Sequence, residues 1–197
     1  MSSIPFFCTA NIPLELIKEF VVESQRPENT RNNWSLIRDP PQDEFDEETL
    51  GPLDHFDSGF LSFTIDDLKF YLKNLPEEHQ ETIAVSTFVV LDERTIRDKT
   101  VSIHHWTRET PDDVDESIDF DDWPVIESWK EWRVPFSSAA LVASRLENDV
   151  YDRIKNEGGF SGKSDEHVDA EGVLRLPSLK MKDFEFLDDE GWPLGDD

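Results

Sequence analysis

The N-terminal part of the chain changes from a continuous apolar run to an apolar pattern of helical period. Residues 4–9 are mostly apolar, which is typical of a buried strand. From there to about residue 24, Leu14, Ile17 and Val21 recur at three- and four-residue spacing, so their side chains share one face of a helix. This pattern predicts a strand followed by an amphipathic helix.

The next two segments repeat this order of strand and helix. Residues 33–38 are a second strand candidate, stopped by the two prolines that follow. Thr64, with Asp67 three positions later, has the spacing of a capping box, which predicts a helix over residues 65–75. Between them, residues 42–57 combine glycine and proline with many acids, a composition typical of a loop.

The second half of the chain supplies the middle of the predicted sheet. Residues 82–91 are continuously apolar and rich in β-branched side chains, which predicts a central strand buried on both faces. Strands at 100–107 and 128–134 are expected to pair as a hairpin with a long acidic tip. Ser137 or Ser138 is expected to cap the longest helix, which runs to about residue 156.

These elements predict an α/β fold, with α+β as the alternative. We expect one domain over residues 1–197, in which helices pack on a mixed sheet of about five strands. The chain has no apolar run long enough to cross a membrane, no N-terminal secretion signal and a single cysteine, Cys8. We therefore expect a cytoplasmic protein, with a nuclear location as the alternative.

Charge changes this picture because the acidic residues are concentrated. The formal net charge is −26, and the loops at 42–57 and 109–129 together with the tail at 183–197 contain 23 of the 45 acids and no Lys or Arg. The remaining 145 residues contain 22 acids and 19 bases, so the body of the protein is nearly neutral. Such a chain repels nucleic acids and anionic membranes, and we expect it to bind neither. It attracts basic proteins instead.

The second acidic segment is the strongest candidate for a binding surface. Its acids alternate with apolar and aromatic residues, which combines electrostatic steering with apolar anchors. An EF-hand calcium loop is excluded, because Ile118 and Pro124 stand where that loop needs Gly and Glu. The alternatives are a weak cation-binding segment and a solvated loop without a partner. We expect a basic protein to contact Asp112, Asp113, Asp115, Glu116, Phe120, Asp121, Asp122 and Trp123.

A second candidate site lies at the predicted carboxyl edge of the sheet, where α/β folds commonly bind ligands. Asp92, Thr95, His104 and Arg133 are the ligand-binding candidates there. The structural alternatives are a turn or helix cap for Asp92 and Thr95, a cross-strand contact for His104 and a surface salt bridge for Arg133. His104 and His105 are adjacent in a predicted strand, so they point to opposite faces and cannot hold one metal together.

No catalytic signature accompanies these residues. The glycine-rich run at 158–164 lacks the first glycine of a phosphate-binding loop and follows a predicted helix instead of a strand. We name no catalytic residue and expect no cofactor, and we leave metal binding open. The sequence favours a non-enzymatic interaction module with a basic partner. The alternative is a small enzyme, or a binder of a small ligand or divalent cation, with its site near Asp92, His104 and Arg133.

Three short motifs occur in an order that resembles a known family. They are residues 88–92 with Thr95, the Trp-Arg-Val-Pro run at 132–135, and residues 181–185 followed by Gly191 and Gly195. In these motifs the chain is similar to a family of small acidic α/β domains of unknown function from bacteria and fungi. The helix predicted at 137–156 and the polar loop after it look like an insertion relative to that family, and the Asn-rich segment expected before residues 181–185 is missing. The resemblance implies a fold and no known reaction.

Overall fold

The structure is a computed structural model that describes residues 2–24, 33–42, 44–45, 49, 53–109, 125–147 and 168–174. These residues form a single mixed α/β domain, a five-stranded sheet with helices on both faces, which confirms the fold predicted from the sequence. In the described part of the chain, no helix is long and apolar enough to span a membrane.

The sheet is parallel on one side and antiparallel on the other. Its strands are β1 (Ile4–Cys8), β2 (Trp34–Leu36), β3 (Thr87–Leu91), β4 (Thr100–Glu109) and β5 (Ile126–Pro135). The helices are α1 (Leu14–Ser24), α2 (Ile65–Lys73), α3 (Glu77–Gln80), α4 (Glu93–Asp98) and α5 (Phe136–Glu147). The strands lie in the order β2-β1-β3-β4-β5. β1 is parallel to β2 and β3, whereas β4 is antiparallel to β3 and β5.

β3 is the central strand, as predicted, but it is shorter than the predicted strand at 82–91. All five of its residues are buried. Before it, Ser3 forms an isolated parallel bridge with Ile83, and the next pairing to β1 joins Phe6 to Val89. Between these two pairings there are three residue steps from Ser3 to Phe6 but six from Ile83 to Val89. The surplus residues between Ile83 and Val89 therefore have no pairing partner in β1. Strand propensity alone does not reveal such a mismatch.

α5 begins at Phe136, directly after β5, so the expectation that Ser137 or Ser138 caps it is wrong. Both serines lie in the first turn of the helix. The Phe136 N–H donates to the Lys99 carbonyl at 3.2 Å, and its buried ring lies 5.3 Å from that of Phe20 in α1. Burial of this ring therefore sets the start of the helix. The predicted continuation to residue 156 lies outside the described residues.

Consecutive phenylalanines in β1 reach the two cores on opposite faces of the sheet. Phe6 faces α1 and α5, with its ring 5.4 Å from that of Phe20. Phe7 points to the opposite face, toward α2. Its ring lies 4.9 Å from that of Phe60, which precedes α2, and 6.0 Å from that of Phe88 in β3. α2 begins at the predicted capping box and buries Leu68 and Leu72 against this second core. Both faces of the central strands are therefore covered.

β4 and β5 form a two-stranded ribbon that extends past β3, which confirms the predicted hairpin. The β4–β5 ribbon is paired from Thr100, opposite Pro135, to Glu109, opposite Ile126. β3 pairs only with the part of β4 from Ser102 to His105. The outer half of the ribbon therefore projects beyond the central strand, and acidic residues 110–124 connect its two strands at the far end.

Replacing Phe7 with alanine is expected to lower the free energy of unfolding by about 3–5 kcal/mol, because the removed ring fills the interior between α2 and the sheet. The matched control is Phe70→Ala, since Phe70 of α2 is 70% exposed. Its expected effect is within about 0.5 kcal/mol. Urea unfolding at neutral pH measures both, and equal losses would contradict the placement of the two rings.

Candidate functional site

Asp92, the residue that follows β3, is the centre of the carboxyl edge of the sheet. Its Oδ1 accepts a hydrogen bond from the Thr95 backbone N–H at 3.0 Å, and its own N–H donates to the Thr95 hydroxyl at 3.0 Å. This reciprocal pair is a capping box at the start of α4. Of the structural alternatives that the sequence allowed for Asp92 and Thr95, the helix cap is therefore the one that the structure contains.

Arg133 reaches the same carboxylate from β5, across the intervening β4. Its Nη1 donates to Asp92 Oδ2 at 2.7 Å and its Nη2 to Oδ1 at 2.6 Å, while Nε donates to the Thr100 hydroxyl at 2.8 Å. Burial opposes ionisation of Asp92, but the hydrogen bonds from Arg133 and Thr95 outweigh it and hold the pKa of Asp92 below its ordinary 3.8. The ionised carboxylate therefore links β3, α4 and β5.

His104 lies further along β4, on the same face of the sheet as Arg133. Its ring stacks on Phe88 with 4.8 Å between centroids and 17° between planes. His104 Nε2 is 2.9 Å from the Ser102 hydroxyl, which donates to Glu131 Oε1 at 2.9 Å. Because the hydroxyl proton points to Glu131, Nε2 is assigned as the protonated nitrogen and donates to Ser102. The three side chains form one directed hydrogen-bond chain.

The ring of His104 is uncharged at neutral pH. Burial lowers the pKa of His104 to about 4, and the neighbouring Glu131 carboxylate only partly offsets that shift. A group with this pKa is a weak proton acceptor near pH 7. The hydrogen-bond chain therefore suits a structural role better than proton transfer at neutral pH.

His105 points to the other face of the sheet, as the strand geometry predicts. Its Nδ1 lies 2.6 Å from the Thr87 hydroxyl, so the two adjacent histidines cannot ligate one metal. Across the described ranges, no group of three or more His, Cys, Asp or Glu side chains is arranged to hold a metal ion.

The structure thus joins three of the four edge candidates, Asp92, Thr95 and Arg133, in one hydrogen-bonded network. The fourth, His104, lies on the same face of the sheet as Arg133 but bonds to Ser102 instead. Both oxygens of Asp92 and all three guanidinium nitrogens of Arg133 have partners inside this network. A ligand that bound to the Asp92 carboxylate or to the Arg133 guanidinium would have to compete with this pair.

A cavity of about 370 Å³ at the carboxyl end of β1 was not identified from the sequence. The two neighbours of β1 in the sheet, β2 and β3, lie on opposite sides of it. The carboxyl end of such a strand is a position where open α/β sheets commonly bind ligands. The walls of the cavity include Cys8, Asn11, Ile12, His55, Phe56 and Asp57. Burial raises the pKa of Cys8 to about 12, so the cavity offers amide, imidazole and carboxylate groups but no thiolate.

Only one of the two chain segments that line this cavity could be recognised from the sequence. A strand that leads into a helix through Asn11 and Pro13 is recognisable, but the contribution of residues 55–58 depends on contacts distant along the chain. One such contact is the hydrogen bond from the Ser58 hydroxyl to the Cys8 carbonyl at 2.6 Å.

The predicted partner-binding residues lie outside the described part of the chain. They are Asp112, Asp113, Asp115, Glu116, Phe120, Asp121, Asp122 and Trp123. The structure describes the two points where their segment joins the fold, at Glu109 and Val125. Their role stays a prediction.

Comparisons of the chain with protein-family models, with curated proteins and with solved structures found no significant match. The resemblance to small acidic α/β domains therefore also stays a prediction, and the function has to be argued from the geometry.

Arg133→Met is expected to lower the free energy of unfolding by about 2 kcal/mol, between the values for exposed and buried ion pairs. The side chain of Arg133 is 9% exposed and that of Asp92 is 35% exposed. Asp92→Asn retains a capping side chain, and the double variant is expected to lose less than the sum of the single losses. Urea unfolding of all four proteins measures this coupling, and strictly additive losses would contradict the pair.

Stability is expected to rise with pH between about 4 and 6.5 because of His104. In this interval the unfolded chain binds a proton at His104 that the folded protein excludes, so acidification favours unfolding. A pKa lowered from 6.5 to about 4 corresponds to about 3 kcal/mol. His104→Gln is expected to remove this part of the slope, and His55→Gln, at an exposed site, to retain it. Identical pH profiles of unfolding free energy for the two variants would refute this.

Proposed function

We propose that the protein is a non-enzymatic interaction module that presents acidic segments to a basic protein partner. The observation that supports this best is the β4–β5 ribbon, whose last pair, Glu109 and Ile126, holds both ends of the segment 110–124 side by side. A segment with its ends held together loses less conformational entropy on binding than a free tail. The ribbon therefore suits the presentation of this segment.

The charge distribution supports the same function. Residues 110–124 contain seven acids and no base, whereas the chain outside the three acidic segments is nearly neutral. Concentrated charge of one sign accelerates encounter with a partner of opposite sign, and the aromatic residues Phe120 and Trp123 supply apolar anchors. The same charge disfavours nucleic acids and anionic membranes as partners. A cytoplasmic location, or a nuclear one, belongs to this proposal.

Capture of a basic protein at low salt, with release at high salt, is the expected outcome of an affinity experiment with the full chain. The affinity for the isolated partner should fall by about tenfold between about 0.05 and 0.2 M salt, because the contacts are exposed and screened. The double variant Asp121→Asn, Asp122→Asn should bind more weakly than wild type.

The control for this experiment is Glu77→Gln, Glu78→Gln, which makes the same change of charge at exposed positions of α3. It is expected to bind like wild type. An acidic captured protein, salt-independent binding, or equal weakening by the two double variants would each contradict the proposal.

The second candidate function is a small enzyme, or a binder of a small ligand or divalent cation, near Asp92, His104 and Arg133. The observation that favours it is the cavity at the end of β1, which lies at the same carboxyl edge because Cys8 pairs with Leu91, the residue before Asp92. The walls of the cavity are formed by residues other than Asp92, His104 and Arg133. A ligand affinity or activity that is lost in Asp92→Asn, in a protein that remains folded, would distinguish this function from the interaction module.

A further inference from the structure

A groove of about 500 Å³ between α2 and the β4–β5 ribbon lies outside both sites described above. Its apolar walls are Phe70 from α2, Val85 from the segment before β3, and Trp106 and Trp129 from the ribbon. This volume is in the range of small-molecule sites, which are mostly apolar and contain few charged groups. The groove is therefore a candidate site in its own right.

The two tryptophans form the wall opposite the helix. Trp106 and Trp129 are directly paired across the ribbon, so their side chains stand side by side on the face toward α2. Trp129 is held in place by Phe88, whose ring centroid lies 5.4 Å away at an interplanar angle of 63°. Adjacent indoles offer a large apolar surface to a planar group.

The charges around this groove are unusual for so acidic a chain. Lys69 Nζ lies 5.6 Å from the centroid of the Trp129 ring and 2.8 Å from Asp66. Lys73, one turn later on α2, is exposed and has no ion-pair partner among the residues that the structure describes. The acid of the groove is Glu127, whose carboxylate faces Arg108 at 3.6 Å. Beside an aromatic wall, the groove thus presents one ammonium group that is unpaired in the described part of the chain, that of Lys73, and one that is already paired with Asp66, that of Lys69.

We infer that this groove binds a small organic carboxylate with a planar apolar body. The body packs against Trp106, Trp129 and Phe70, and the carboxylate pairs with the ammonium group of Lys73. An unpaired cation beside an apolar wall selects an anionic apolar ligand over a neutral or cationic one. The two facing walls, a helix and a ribbon, suit a small molecule better than a flat protein surface.

Naphthoate is the probe, titrated into the full chain in an isothermal calorimeter, with naphthalenemethanol as the same ring system without the charge. We expect saturable binding of naphthoate, about threefold to fivefold tighter than that of the alcohol, as one exposed ion pair provides. Added salt should reduce the affinity for naphthoate and leave that for the alcohol unchanged.

Two variants with matched controls locate the site. Lys73→Gln should remove most of the preference for naphthoate over the alcohol, whereas Lys18→Gln, the same change on α1, should leave it intact. Phe70→Ala should weaken both ligands, whereas Val22→Ala, at a residue of α1 that is 60% exposed, should weaken neither. Because Phe70 is itself exposed, its loss is not expected to unfold the protein.

Any of the following results would overturn the inference. One is equal affinity for naphthoate and the alcohol, or no saturable binding of naphthoate in the millimolar range. Another is equal weakening by Lys73→Gln and Lys18→Gln. The last is competition by an acidic peptide of residues 183–192 of this chain, DFEFLDDEGW, with a higher affinity than naphthoate, which would assign the groove to a peptide partner. The proposal for the segment 110–124 is tested with different variants, so the two can fail separately.

Discussion

Burial of the parallel pair β1 and β3 on both faces is the constraint on which the rest of the structure depends. Phe6 and Phe7 are consecutive, so their rings necessarily enter opposite sides of the sheet, and both are fully buried. A strand of this kind is stable only when helices cover both faces. The positions of α1 and α5 on one side and of α2 on the other follow from this requirement, because each supplies the apolar face that one phenylalanine needs.

The antiparallel half of the sheet is joined to this core by a polar interaction. Arg133 crosses β4 to reach Asp92, so a bidentate ion pair connects the outermost strand to the end of the central one. The guanidinium is nearly buried, and its nitrogens are all bonded, which is the condition under which a buried charge is tolerated. Residues that sequence reasoning proposed for a ligand thus bond to one another, and they hold the β4–β5 ribbon to the body.

Both proposed binding sites, the acidic segment and the groove, adjoin the β4–β5 ribbon. Its far end holds the acidic segment 110–124. Its tryptophans face α2 and form one wall of the groove, and Lys69 and Lys73 of α2 lie on the opposite wall. Regions of opposite electrostatic character therefore meet on one element. The two places are close, because Trp106 and Glu109 are three strand residues apart, about 10 Å, so their exposed charges are only partly screened from each other.

The sequence by itself determined the fold class, the capped helix at Thr64, the hairpin and the opposite orientation of His104 and His105. These are local properties: periodicity, cap spacing and alternation along a strand act within a few residues. Tertiary structure alone decided where β3 and α5 begin, because pairing with β1 and burial of Phe136 override local preference. It also decided the Asp92–Arg133 pair, the cavity at β1 and the groove beside α2. Each of these joins residues distant along the chain, and only packing brings such residues together.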